Sequence, residues 1–77
     1  MPTVLRVRGY RFFFFSSEEG EPPHVHIEKN ESSAKVWLSP VVLQKSTGFK
    51  PHEINAILKL TQQHETELEE KWHGYFN

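Results

Sequence analysis

No cysteine occurs in these 77 residues, which excludes a disulfide framework, a thiolate metal site and a thiol nucleophile. No long hydrophobic run occurs either. The longest, Phe12 to Phe15, falls far short of the ~20 apolar residues a helix needs to cross a bilayer. Met1 leads straight into polar and strand-forming residues, with no apolar signal region. The expectation is a cytoplasmic, bacterial-type protein with no membrane association. A strong charge of one sign is missing too: the formal net charge is −1, well away from the basic footprint of a dedicated nucleic-acid binder. Nor is there an internal repeat or a low-complexity tract.

The near-neutral total conceals an asymmetry. Residues 1–50 hold seven Lys and Arg against five Glu, whereas residues 51–77 hold two against five. Arg6, Arg8 and Arg11 fall in the basic half, which is also the half with strand-like alternation, so an anionic ligand belongs on the sheet if it belongs anywhere. The length sets one domain over residues 1–77. A chain this short buries only about 60% of its unfolded surface, so its core is thin.

What is present is organised around Glu21-Pro22-Pro23-His24-Val25-His26-Ile27-Glu28. Two prolines fix φ and remove two donors, so the chain arrives extended and stiff. Val25 and Ile27 then alternate with His24, His26 and Glu28, the period-2 pattern of a strand with one buried and one open face. On the open face, same-side groups recur about every 7 Å.

In chain order, Thr3 to Val7 reads as a first strand, Arg8-Gly9 as a two-residue turn, and Tyr10 to Ser16 as the returning strand. In that register Val7 faces Tyr10, Arg6 faces Arg11 and Leu5 faces Phe12. One face carries Leu5, Val7, Tyr10, Phe12 and Phe14, and the other Val4, Arg6, Arg11, Phe13 and Phe15. Two arginines directly opposite repel unless an anion, Glu28 or a phosphate, sits between them. Ser16 to Pro23 is an acidic connector whose Glu18, Glu19 and Glu21 read as solvated loop charges, with guarding of the phenylalanine run against self-association as the alternative. His24 to Lys29 is the third strand, Asn30-Glu31-Ser32 a turn, Ser33 to Leu38 the fourth strand, and Val41 to Lys45 a short fifth at an edge, after Pro40.

Pro51 suits the first helical position and Glu53 the third. From there Ile54, Ile57, Leu58, Thr61, His64, Leu68, Trp72, Tyr75 and Phe76 form one stripe at 3- and 4-residue spacing. The expected fold is α+β: an antiparallel sheet of four to five short strands with one long C-terminal helix packed on one face. A helix from Pro51 to Tyr75 would run roughly 37 Å, longer than strands of about 17–24 Å can cover. Its far end must fold back, frame a concavity or meet another chain. A homodimer, or a complex with a cognate protein, through Phe13, Phe15, Trp72 or Phe76 is the expectation.

Gly9-Tyr10-Arg11-Phe12, the Pro-Pro-His-Val-His block, Lys35-Val36-Trp37-Leu38 and Trp72-His73-Gly74-Tyr75-Phe76 together resemble the small bacterial family known as domain of unknown function 4160. Lys50 departs from its pattern, in which Ser is common after Gly48-Phe49. The resemblance implies a component of a toxin–antitoxin-type module, paired with a small protein encoded by an adjacent gene.

Three chemistries fit the open face. With His24, His26 and Glu28 as catalytic groups and Arg6, Arg11, Lys35 and Trp37 as substrate-binding groups, it suits RNA binding, or metal-independent ribonuclease-like cleavage of a phosphodiester. Within that scheme His26 is the acid–base group, Glu28 orients it, and Trp37 or Phe13 stacks a base. The second reading is a protein-interaction surface without chemistry or cofactor. The third is a divalent metal such as zinc on His24, His26 and Glu28, since His-x-His on a strand is a known ligand spacing. Glu28 stands where histidine-triad nucleotide hydrolases have a third histidine, which excludes that class.

Overall fold

The computed structural model describes residues 3–15 and 20–76; Pro2, and Ser16, Glu18 and Glu19 of the expected strand end and connector, lie outside the described residues. Strands β1 (Thr3–Val7) and β2 (Tyr10–Phe13) form the hairpin that the alternation predicts, with Val7 opposite Tyr10, Arg6 opposite Arg11 and Leu5 opposite Phe12. Arg8 (φ 52°) and Gly9 (φ 84°) both take the left-handed conformation that a two-residue I′ turn requires.

One assignment in the hairpin is corrected. Val4 is an extra residue in the β1 ladder, because Thr3 pairs with Phe13 while Leu5 pairs with Phe12. The bulge shifts the alternation. Thr3 takes the outer-face place beside Arg11, and Val4 packs against the core instead.

β3 (His24–Lys29), β4 (Ser32–Trp37) and β5 (Val42–Thr47) complete a five-stranded antiparallel sheet in sequence order, β1-β2-β3-β4-β5. β5 begins and ends later than expected and lies at the edge, as Pro40 before it predicts. Each strand pairs antiparallel with the next, so the central strand in sequence, β3, is also central in the sheet.

The inner face carries Tyr10, Phe12, Phe14, Val25, Ile27, Val36 and Leu38, all buried in one cluster with helix residues. Helix α1 (Pro51–Gln63) starts with Pro51 at its first position, and the Glu53 carboxylate accepts a hydrogen bond from the Lys50 backbone N–H at 2.9 Å. Lysine has no acceptor with which to reciprocate, so only the Glu half of a capping box forms. α1 buries Ile57, Leu60 and Thr61, and the Thr61 hydroxyl donates to the Ile57 carbonyl at 2.8 Å.

The single long helix is the second correction. His64 leaves helical geometry (φ −112°, ψ 14°), and α2 (Glu65–Phe76) starts afresh after it. The His64 ring Nδ1–H donates to the Leu60 carbonyl at 2.9 Å, and the His64 carbonyl accepts from Leu68 N–H at 2.9 Å. This residue therefore closes one helix and opens the next. A continuous helix of roughly 37 Å would outrun the longest dimension of the molecule, 34 Å. The break lets α2 return to the sheet, where Leu68 and Trp72 are buried. Lys71 Nζ donates to the Val4 carbonyl at 2.7 Å, and Ser39 of the β4–β5 turn hydrogen-bonds Glu69, which ties α2 to both ends of the sheet. Folding back was one of the outcomes open to the overhanging stripe. Consequently Trp72 (4% exposed), expected at an interface with another chain, is engaged within this one, and Phe13 (5%) is covered on the outer face by Phe15, His26 and Arg11. No helix among the described residues is long and apolar enough to cross a membrane.

Candidate functional site

Antiparallel pairing turns the outer face into transverse rows. Phe13 lies opposite His26, His26 opposite Lys35, and Lys35 opposite Lys45, so an aromatic ring, an imidazole and two ammonium groups cross four strands in line. Two residues away along each strand, about 7 Å, Arg6, Arg11, Glu28, Ser33 and Thr47 make a second row. His24 opposite Trp37 makes a third. Alternation thus places His24, His26, Glu28, Arg6, Arg11, Lys35 and Trp37 on one face, as expected from the sequence.

Sharing a face does not give these residues one environment. His24 is the third correction: it is fully buried, not open. Its ring stands 5.5 Å from that of Trp37 and 4.8 Å from that of Trp72, which α2 brings across the end of the sheet. Its Nδ1 lies 2.9 Å from the Pro22 carbonyl, which only accepts, so Nδ1 carries the proton. His24 is a core histidine of the Pro-Pro-His corner.

Glu28 is the anion expected beside the arginine pair. Its carboxylate lies 2.7 Å from Arg11 Nη1 and pairs with that one arginine. Arg11 also donates from Nε to Thr3 Oγ1 at 2.6 Å and lays its guanidinium 4.4 Å over the Phe13 ring. Lys35 pairs with Glu21 at 2.7 Å and sits 4.9 Å over the Trp37 ring. With Lys35 above it and His24 beside it, Trp37 does not offer the open stacking platform expected of it, and buried Phe13 does not either.

His26 keeps its accessible position. Half-buried, it stacks on Phe13 at 5.6 Å and meets Phe15 edge-on at 4.4 Å. It lines a hollow of about 280 Å³ together with Phe15, Lys35, Lys45 and the β5 residues Ser46 and Thr47. Lys45, Ser46 and Thr47 escaped the sequence reading. β5 is exposed at nearly every position, so no apolar alternation marks its faces, and a register shift between Lys35 and Val36 opposite it blurs the pairing. Only the polar run Gln44 to Thr47 hinted at a solvent-facing strand.

Among the described residues no three His, Asp or Glu side chains are grouped to hold a metal ion. The His24 and His26 rings lie 5.2 Å apart, but His24 is buried in an aromatic cage and Glu28 is held by Arg11. What the hollow offers chemically is one imidazole against two phenyl rings, ammonium groups at its rim and two hydroxyls, from Ser33 and Thr47. Such a set is chemically complementary to a flat ring and a negative charge.

A family model described as domain of unknown function (DUF4160) matches residues 9–73. No curated protein matches the chain, and no solved structure does.

Proposed function

The chain belongs to the DUF4160 family, and from that premise and the geometry of its outer sheet face we propose that it binds single-stranded RNA. The observation that carries the reading is the row Phe13–His26–Lys35–Lys45 bordering the 280 Å³ hollow. Single-stranded nucleic acid is held by stacking its bases on rings and tracking its phosphates with cations. The hollow falls just below the ~300–1,000 Å³ range of small-molecule pockets, so it takes one base rather than a large ligand. The Ser33 and Thr47 hydroxyls suit ribose, whose 2′-OH both donates and accepts.

Binding is favoured over cleavage for a physical reason. Cutting a phosphodiester needs a proton acceptor and a proton donor. The hollow holds one imidazole, because His24 is caged and Glu28 is engaged with Arg11. His26 therefore serves as at most one of the two, with the ammonium groups left to stabilise charge. In the toxin–antitoxin-type arrangement that the family resemblance implies, the chain is the RNA-directed member. Co-expression with the neighbouring gene, scoring growth and RNA integrity, tests that placement.

The direct test is fluorescence anisotropy with a short labelled single-stranded RNA. Loss of one stacked base costs about 1–3 kcal/mol, so His26→Ala should weaken binding about tenfold or more. His26→Phe keeps a flat ring and should keep most of the affinity, while removing any cleavage that depends on the imidazole. Equal affinity of wild type and His26→Ala would end the proposal.

A further inference from the structure

Lys35 stands in the row that borders the RNA hollow, yet its ammonium is already answered. Glu21 Oε1 lies 2.7 Å from Lys35 Nζ, and the Lys35 side chain is only 12% exposed. The same ammonium lies 4.9 Å over the Trp37 ring. Carboxylate, ammonium and indole thus form one chain of contacts on the outer face. A surface lysine ordinarily keeps its charged head in water. This one gives it to a carboxylate fourteen positions away in the chain.

The Pro-Pro-His corner is what brings Glu21 there. The Pro22 carbonyl lies 2.9 Å from His24 Nδ1, and the Pro23 carbonyl accepts from the Leu38 N–H at 3.0 Å. Both prolines also have a fixed φ, so the two residues after Glu21 are stiff and tied to β3 and to the end of β4. The corner therefore sets the Glu21 main chain at the margin of the outer face. The carboxylate itself is 41% exposed and can leave Lys35 without disturbing the corner. A partly exposed ion pair is worth at most about fivefold in an equilibrium, so a stronger anion can displace it.

We infer that Glu21 is a built-in competitor for RNA: in the free protein its carboxylate occupies the place on Lys35 that a phosphate of the bound strand takes. A carboxylate and a phosphodiester present the same feature to an ammonium, a negatively charged acceptor oxygen. Exchanging one for the other keeps Lys35 paired in both states. That matters because Lys45 stands directly opposite Lys35 on β5, and like charges so placed destabilise a sheet. The competitor role rests on the RNA reading; the pairing of Glu21 with Lys35 stands on its own contacts.

Two readouts separate the competitor from the RNA reading. Trp72 is buried at 4% exposure, so iodide quenching of the free protein reports Trp37, the other tryptophan. Glu21→Gln leaves the Lys35 ammonium beside that ring without its carboxylate. Iodide quenching should rise about twofold, with a smaller change for acrylamide, which carries no charge. Unchanged iodide quenching overturns the proposal. In the second arm, Glu21→Gln should bind the labelled single-stranded RNA about two- to fivefold more tightly than wild type. Glu31→Gln, which removes the same charge from the exposed β3–β4 turn, should gain less. In a Lys35→Ala background, Glu21→Gln should add nothing. Equal gains from the two glutamate variants, or a gain that persists without Lys35, overturn the competitor while leaving RNA binding in place. Raised iodide quenching with no RNA binding by either protein would remove the RNA reading, and the competitor role with it.

Discussion

The His24 ring lies 4.8 Å from the indole of Trp72, centroid to centroid, and that packing joins the Pro-Pro-His corner of β3 to the last turns of α2. Trp72 also meets Phe14 edge-on at 5.2 Å and Phe76 at 4.2 Å. One indole thus closes the end of the core from the inner face round to the first residue of the histidine strand.

Trp72→Ala should cost about 3–5 kcal/mol, the range for deleting a buried large aromatic. His24→Ala should cost about 2 kcal/mol, since it opens a cavity and leaves the Pro22 carbonyl without its partner. His26→Ala removes ring contacts from a half-buried site and should cost about 1 kcal/mol. Urea midpoints of the three variants test the order. If His24→Ala proved as mild as His26→Ala, the aromatic cage would not be holding the strand end.

Glu28→Gln separates stability from binding. Its ion pair with Arg11 is partly exposed, at 43% on the carboxylate side, so its loss should cost at most ~1 kcal/mol. The same change uncovers a second positive charge opposite Arg6, so affinity for RNA should rise and its salt dependence should steepen, by about 0.7 in slope for one more phosphate neutralised. A fall in affinity at unchanged stability would show that the carboxylate contacts the ligand.

Gly48 follows β5 at φ 88°, and a Cβ there would stand 2.6 Å from the Ser32 hydroxyl oxygen and 3.3 Å from the Ser32 backbone. Gly48→Ala should therefore destabilise by about 1–3 kcal/mol, from the left-handed conformation and the close approach together. Adding Ser32→Ala should recover only part of the loss, because the left-handed conformation and the crowding against the Ser32 main chain remain. Thermal unfolding of the single and double variants gives the partition; complete rescue would assign the whole effect to the hydroxyl.

His64→Ala removes the ring hydrogen bond to the Leu60 carbonyl and should cost about 1 kcal/mol. The effect should be local. Faster amide exchange is expected at Leu68, whose N–H opens α2 on the His64 carbonyl, with RNA binding unchanged. Equal exchange in both proteins would mean that the turn is held by packing alone.

By itself the sequence determined the hairpin register, the edge position of β5, the start of α1 and the shared face of the seven proposed site residues. Those features follow from local rules: period-2 alternation sets faces, a two-residue turn sets register, and proline sets starts. The tertiary structure alone decided what each outer-face residue meets. Burial of His24 depends on Trp72, forty-eight positions away in the chain, and Trp72 arrives only because one residue, His64, leaves the helix. The alternation fixes a side chain's direction, not what another element lays over it. Lys45 and Thr47 joined the face for the same reason. Their strand has no buried pattern of its own, and its place came from pairing with β4, a long-range choice that no local periodicity records.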